Sequence, residues 1–309
     1  MTKELLNKIL VPLDGSTHAE AILSQLRRIL PPHDTHLTLL QATPFAPWTN
    51  EEETRKYLRR VAFQLTNEGY PSTPMLRIGA PAETILEAAL TEKVSLIALT
   101  THGRTGAARW LFGSVAERIL QASPLPVLVA RSFPPTVSRG KLESRPVRNF
   151  LVPLDGSAQS LGALDPVLNL ARPVDAHVTI LHVAEPSPYD GHWDPPDQTL
   201  QEADHRLREA CIPARIEHRK GEASDVILRT ADEEAIDLIA MTTHGRSGPS
   251  RWIYGSVAAK VLREATVPLL VVRHVLPSGK ITPAAEIPRS AGAVIGQRDA
   301  GTGLAPLSP

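Results

Sequence analysis

Along the first half of the chain, short runs of leucine and β-branched residues alternate with longer stretches in which apolar positions recur at helical spacing. The short runs read ILVPL from residue 9, LTLLQA from 37, PMLRI from 74, VSLIALT from 94 and PVLVA from 126. Between the first two, Ile22, Leu23, Leu26, Ile29 and Leu30 fall on one helical face behind Ser16, whose hydroxyl suits an N-cap. Two further helices are predicted after Pro81 and after Ser114. Strands that alternate with crossover helices predict an α/β fold built on a parallel sheet.

The second half writes the same blocks in the same order. KILVPLDGS (from Lys8) returns as NFLVPLDGS (from Asn149), HLTLLQATP (from His36) as HVTILHVAEP (from His177), and RIGAPAETIL (from Arg77) as RKGEASDVIL (from Arg219). The longest match is LTTHGRTGAARWLFGSV (from Leu99) with MTTHGRSGPSRWIYGSV (from Met241). A domain has been duplicated. Pro166 falls where the first helix of the second copy is expected and predicts a kink there. The join is placed near residues 140–148, giving domains at 1–140 and 146–275. From 276 to 309 the chain is rich in Pro, Gly, Ala and Ser with no sustained period, which reads as a disordered tail.

At 309 residues and 42% hydrophobic, the chain is long enough for two ordinary cores. Lys plus Arg and Asp plus Glu are 33 each, so the net charge carries no footprint of a nucleic-acid binder. The single cysteine, Cys211, builds neither a disulfide framework nor a zinc site and is expected to be a small buried residue. The apolar opening is broken by Lys8 and Pro12, and no 18-residue apolar span occurs after it, so a cytoplasmic protein without membrane contact is expected.

Two of the repeated blocks end strands with chemistry of their own. Asp14 and Asp155 stand where a first strand stops, placed to accept hydrogen bonds from a ribose or an adenine edge. Asp-Gly-Ser is also ordinary turn and capping chemistry, and both readings stay open. In the second block, Gly103, Gly106 and Gly113 let backbone approach a ligand, and Gly113-Ser114 leads into the amphipathic VAERIL. A helix start there offers unpaired N–H groups and about half a positive charge to a phosphate. Arg104, Arg109, Arg246 and Arg251 could add charge to the same loops. The competing reading is a capping box, Ser114 with Glu117. In the second copy Ala259 replaces the glutamate while Gly255-Ser256 stays, which favours phosphate. A P-loop lysine is missing, since Val115 and Val257 follow the Gly-Ser pairs, and no G-x-G-x-x-G occurs. His102 and His244 have no acidic or cysteine partner at metal spacing, and Trp110 and Trp252 read as packing.

Together these blocks resemble the universal stress protein family twice over, across residues 5–132 and 146–274. The loop is similar to the family's ATP pattern, G-x2-G-x9-G-[ST]. Gly103 with Gly113-Ser114, and Gly245 with Gly255-Ser256, fit its later part, while Thr100 and Thr242 replace its leading glycine. The resemblance implies two Rossmann-like domains, each an open five-stranded parallel sheet of order 3-2-1-4-5 with helices on both faces. It implies ATP as ligand, or ADP or AMP, with magnesium as the accompanying ion. The residues it points to are Pro12, Asp14, Ala42, Thr100, Gly103, Arg104, Gly113, Ser114 and Val115 in the first copy. In the second they are Pro153, Asp155, Val183, Thr242, Gly245, Arg246, Gly255, Ser256 and Val257, with Asp14 and Asp155 near adenine or ribose and the backbone around Ala42 and Val183 flanking the base. The implied role is a stress-response regulator, not an enzyme. The alternatives are weak ATP hydrolysis or adenylyl transfer, and a nucleotide-free scaffold. The fifth strands, PVLVAR and PLLVVR, would be bare apolar edges unless paired, so the halves are expected to meet there as an intramolecular pseudo-dimer, with a homodimer as a further assembly.

Overall fold

The computed structural model describes residues 6–44, 50–101, 113–131, 146–184, 197–243 and 255–273. The expected disordered tail, 276–309, lies outside them, as does most of the join between the copies. The first copy runs β1 (Lys8–Pro12), α1 (Thr17–Ile29), β2 (His36–Thr43), α2 (Glu51–Asn67), β3 (Ser72–Ile78), α3 (Pro81–Thr91), β4 (Leu96–Thr100), α4 (Ser114–Ala122) and β5 (Val127–Ala130). The second runs β6 (Asn149–Pro153), α5 (Leu164–Ala171), β7 (His177–Ala184), α6 (Asp197–Glu209), β8 (Ala214–Lys220), α7 (Ala223–Glu233), β9 (Leu238–Thr242), α8 (Ser256–Glu264) and β10 (Leu269–Val272).

Each copy has strand order 3-2-1-4-5, but the two sheets are not separate. β5 and β10 pair antiparallel, with Leu270 opposite Leu128, and the ten strands form one sheet of order β3-β2-β1-β4-β5-β10-β9-β6-β7-β8. The central strands are buried on both faces, which explains why LIALT and LIAMT carry almost no polar residue. Two apolar layers run the length of the sheet. One, with Leu26, Leu58, Phe150 and Val167, lies under α1, α2, α5 and α6. The other, with Ile85, Ile119, Ile227 and Val261, lies under α3, α4, α7 and α8. Both layers contain residues of both copies, so the halves share their cores.

The outer edges are protected in different ways. The N–H of Leu37 donates to the carbonyl of Pro71, and that of Gly79 to the carbonyl of Thr43. This alternation turns Pro74 toward the free edge of β3, where it has no N–H to offer another strand. On β8 the edge carries an ion-pair ladder, with Arg219 bonded to Glu217, Glu233 and Glu234.

Three features differ from the sequence reading. α2 and α6 carry no helix prediction; α2 buries Leu58, Val61, Ala62 and Leu65 as one stripe behind the Asn50 cap. Pro166 does not kink a long helix. A 3-10 turn at Ser160–Ala163 precedes α5, which leaves Pro166 in the first turn of the α-helix, where a missing N–H costs no intrahelical bond. Cys211 is exposed rather than buried, at φ 57° in the turn after α6, where the first copy has Gly69 at φ 91°. No helix among the described residues is long and apolar enough to cross a membrane.

The copies are also joined by a buried ion pair. Arg28 on α1 reaches the Oδ1 of Asp237 at 3.3 Å, with side-chain exposures of 8% and 2%. The Oδ2 of Asp237 accepts from the N–H groups of Arg148 and Asn149, both at 3.0 Å, and the carbonyl of Arg28 accepts from Val147 N–H. At the corresponding place in the first copy stands Ser95, whose hydroxyl donates to the carbonyl of Lys8.

Candidate functional site

At the carboxyl ends of β1, β2 and β4 a cleft of about 260 Å³ opens in the first copy. Strand ends supply Pro12, Asp14, Ala42 and Thr100, and the start of α4 supplies Gly113, Ser114 and Val115. Seven residues expected to bind a ligand thus line one cavity, where ligands sit in open α/β sheets. Gly103, Arg104, Gly245 and Arg246 lie outside the described residues, as do Gly106, His102, His244, Arg109, Arg251, Trp110 and Trp252.

Asp14 is held by its own turn. Its Oδ1 accepts from the backbone N–H of Ser16 at 2.9 Å and from the Ser16 hydroxyl at 2.6 Å, while Gly15 supplies the left-handed step at φ 83°. The Ser16 hydroxyl accepts in turn from Ala19 N–H and caps α1. The capping chemistry is therefore present, and it fixes a carboxylate on the wall of the cleft. The second copy repeats it, with Ser157 N–H at 3.0 Å and the Ser157 hydroxyl at 2.6 Å from the Oδ1 of Asp155.

The start of α4 excludes one of the two readings of Gly113-Ser114, the capping box. The N-cap is Gly113 and Ser114 is the first helical residue, so no side chain caps the helix and the Ser114–Glu117 box does not form. The amide of Gln121 instead donates to Glu117 one turn along, at 3.0 Å. Gly113 sits at φ −63°, ψ 146°, a conformation open to any residue, and among the described residues a Cβ there would meet only the carbonyl of Thr101 at 3.5 Å, an ordinary contact. Gly255 repeats this, at φ −60°, ψ 151° with Thr243 at 3.5 Å. Neither backbone strain nor crowding by the described residues requires glycine at these N-caps, where Ser, Asn or Asp would bind the helix end better. The first-turn N–H groups of both helices take no side-chain cap. Thr100 and Thr242 end β4 and β9 with 8% exposure each. In the second copy, Pro153 ends β6, Val183 lies near the end of β7, and Ser256 and Val257 open α8.

Sequence reasoning missed α3 as a wall of the cleft, to which Pro81 and Ile85 belong. The signal was the repeated glycine before that helix, Gly79 and Gly221, at φ 156° and 143°. The next residue differs between the copies. Ala80 caps α3 without a side-chain bond. Glu222 caps α7, its carboxylate accepting from the N–H groups of Ser224 (3.3 Å) and Asp225 (2.9 Å) and from the Ser224 hydroxyl (2.7 and 2.6 Å). The Ser224 hydroxyl, the Asp225 N–H and Lys260 hold the Glu222 carboxyl down at about 2. Because this folded-state value lies below the ordinary 4.5, the cap stabilises α7 fully above that pH and loses its effect as pH falls toward 2. A carbon-detected titration is expected to find the Glu222 carboxylate still ionised at pH 3.5; a midpoint near 4.5 would contradict the cap geometry.

An open parallel sheet with glycine-led helix starts at its carboxyl end defines a Rossmann-like α/β protein in tandem form. The model of the universal stress protein family matches residues 6–131 and again 146–273, and the chain belongs to that family. A universal stress protein of Methanocaldococcus jannaschii is 31% identical over 139 residues, covering 41% of this chain and 82% of that one. A universal stress protein of Mycolicibacterium smegmatis is 23% identical over 291 residues, covering 86% and 96%. Among solved structures, a universal stress protein from Archaeoglobus fulgidus superposes with TM-score 0.67 at 20% identity, covering 87% of this chain and 98% of that one, a likeness of fold.

Proposed function

We propose that this chain is an adenine-nucleotide-binding regulator of the stress response, taking ATP, or ADP or AMP, at the carboxyl end of the sheet. The observation that carries the reading is Gly113, repeated as Gly255: an N-cap glycine that neither the backbone nor its neighbours among the described residues require. In this reading the phosphates lie before the first N–H groups of α4, where about half a positive charge favours them. The ribose or adenine edge hydrogen-bonds Asp14, and the base lies along Ala42. Arg104 and Arg246 add charge from the loops. Magnesium, if it accompanies the nucleotide, would be held by the phosphates and water; among the described residues no group of three His, Cys, Asp or Glu side chains could hold a metal.

The domains run 1–140 and 146–275, and the protein acts as a binding module whose halves form an intramolecular pseudo-dimer, with a homodimer of chains as a further assembly. Occupancy, not turnover, is the signal. Protein purified from cells and then denatured is expected to release adenine nucleotide in stoichiometric amount; none released, and none bound on adding millimolar ATP, sinks the reading. A steady-state assay is expected to show no hydrolysis above the uncatalysed rate. Turnover abolished by Asp14→Ala with Asp155→Ala would make the protein an enzyme instead.

A further inference from the structure

A cavity of about 300 Å³ opens at the amino-terminal ends of β6, β7 and β8, away from the carboxyl ends to which the nucleotide is assigned. It is lined by Asn149, His177, Thr179, Arg215, Glu234 and Ile236. Four of these keep the chemistry of the first copy, where His36, Thr38, Glu92 and Val94 hold the matching positions. Two do not: Asn149 replaces Lys8, and Arg215 replaces Thr73. In the first copy an ammonium fills this place. The Nζ of Lys8 donates to the carbonyl of Glu92 at 2.5 Å and stands 3.6 Å from its carboxylate. It also lies close to the His36 ring, since burial and then the Lys8 charge hold that imidazole below its ordinary pKa. In the second copy the first strand does not reach so far, and the Asn149 side chain stops on the carbonyl of Ala235 at 3.2 Å. Arg215 enters from β8 instead, donating to the Thr179 hydroxyl at 3.1 Å and pairing with Glu234.

We propose that this cavity binds a short primary alkylamine as its ammonium ion, seated between Glu234 and His177 where Lys8 sits in the first copy, with the alkyl chain against Ile236. The inference does not depend on the nucleotide reading. Charge favours a cation over an anion here. Glu92 receives two cations, Lys8 and Arg77, whereas Arg215 and Arg219 are shared between two carboxylates, Glu217 and Glu234. Relative to the first copy, one positive charge is missing beside Glu234. Burial and then the neighbouring Glu217 push the Glu234 carboxyl up, and a cation next to it offsets that repulsion. An ammonium has three N–H donors, and the lining residues offer it the Glu234 carboxylate and the side-chain oxygen of Asn149. The length of the amine follows from the residue it replaces, since a lysine side chain is a butylammonium.

Calorimetric titration of the intact chain with n-butylamine, at constant ionic strength, tests this, with n-butanol as a neutral probe of the same length. Wild type is expected to bind butylamine at one saturable site and butanol not at all. Asn149→Lys writes the first copy's residue into the second and is expected to abolish butylamine binding by filling the cavity from within. Glu234→Gln is expected to weaken it by roughly tenfold, the scale of one hydrogen bond to a charged group. Melting curves establish that each variant is folded, and if Asn149→Lys does not fold, Glu234→Gln decides alone. Butanol binding as tightly as butylamine would show that charge is not read. Butylamine binding unchanged in the folded variants would place the amine elsewhere. Either result overturns the inference, as does the absence of saturable heat with wild type up to about a hundred millimolar amine, where a single ion pair with a short apolar chain still registers.

Discussion

Asp237→Ala is expected to cost about 3–5 kcal/mol of folding stability, and Arg28→Met a similar amount. Both side chains are almost fully enclosed, Asp237 at 2% and Arg28 at 8% exposure. Removing either takes the opposite charge away from a group that is almost fully enclosed, and that loss sets the magnitude. Asp237→Ala additionally strips the acceptor from two backbone N–H groups, those of Arg148 and Asn149, at the start of β6. The aspartate change should therefore be the worse of the two. Chemical denaturation followed by circular dichroism measures it. Because both apolar layers contain residues of both copies, the transition should remain single while its midpoint falls. A loss below about 1 kcal/mol, the scale of an exposed pair, would show that the junction is not enclosed.

Gly113→Ala is expected to separate stability from binding. A Cβ fits at φ −63° with 3.5 Å to the nearest atom among the described residues, so the change in stability should stay near the few tenths to 1 kcal/mol that distinguish alanine from glycine at an N-cap. In the nucleotide reading the same methyl group stands beside the phosphates, and ATP affinity should fall by about a hundredfold, the order of displacing a phosphate from its N–H donors. A variant that melts early and binds normally would mean that the glycine serves the fold alone.

Much of this architecture is legible in the sequence because central parallel strands have no solvent face. LIALT and LIAMT could be read as buried runs without knowing their neighbours, and the repetition of whole blocks made one copy a check on the other. The cleft was legible for a related reason: Asp14 and Gly113-Ser114 sit where strands end, and chain order alone brings those ends together. α2 was harder, since its buried stripe of Leu58, Val61, Ala62 and Leu65 begins only after the polar and charged EEETRK that opens the helix. The capping box at Ser114 failed because local sequence permits two helix starts one residue apart, and the carbonyl of Gly113, which accepts from Glu117 N–H, makes Gly113 the cap. Arg28 with Asp237 was not legible at all. Each looks like a surface charge on its own segment, and only the antiparallel meeting of β5 with β10 brings α1 to the start of β9. The only trace was a break in the repeat, aspartate in place of Ser95. Glu222 against Ala80 is a break of the same kind, and in a duplicated chain such breaks mark where the copies have parted.

Calorimetry with ATP on the intact chain, compared with Gly113→Ala, tests the central claim most directly. The account predicts saturable binding to the wild-type protein that is lost in the variant while the melting curve is preserved. Flat heats with wild type up to millimolar ATP, or equal binding by both proteins, would contradict it.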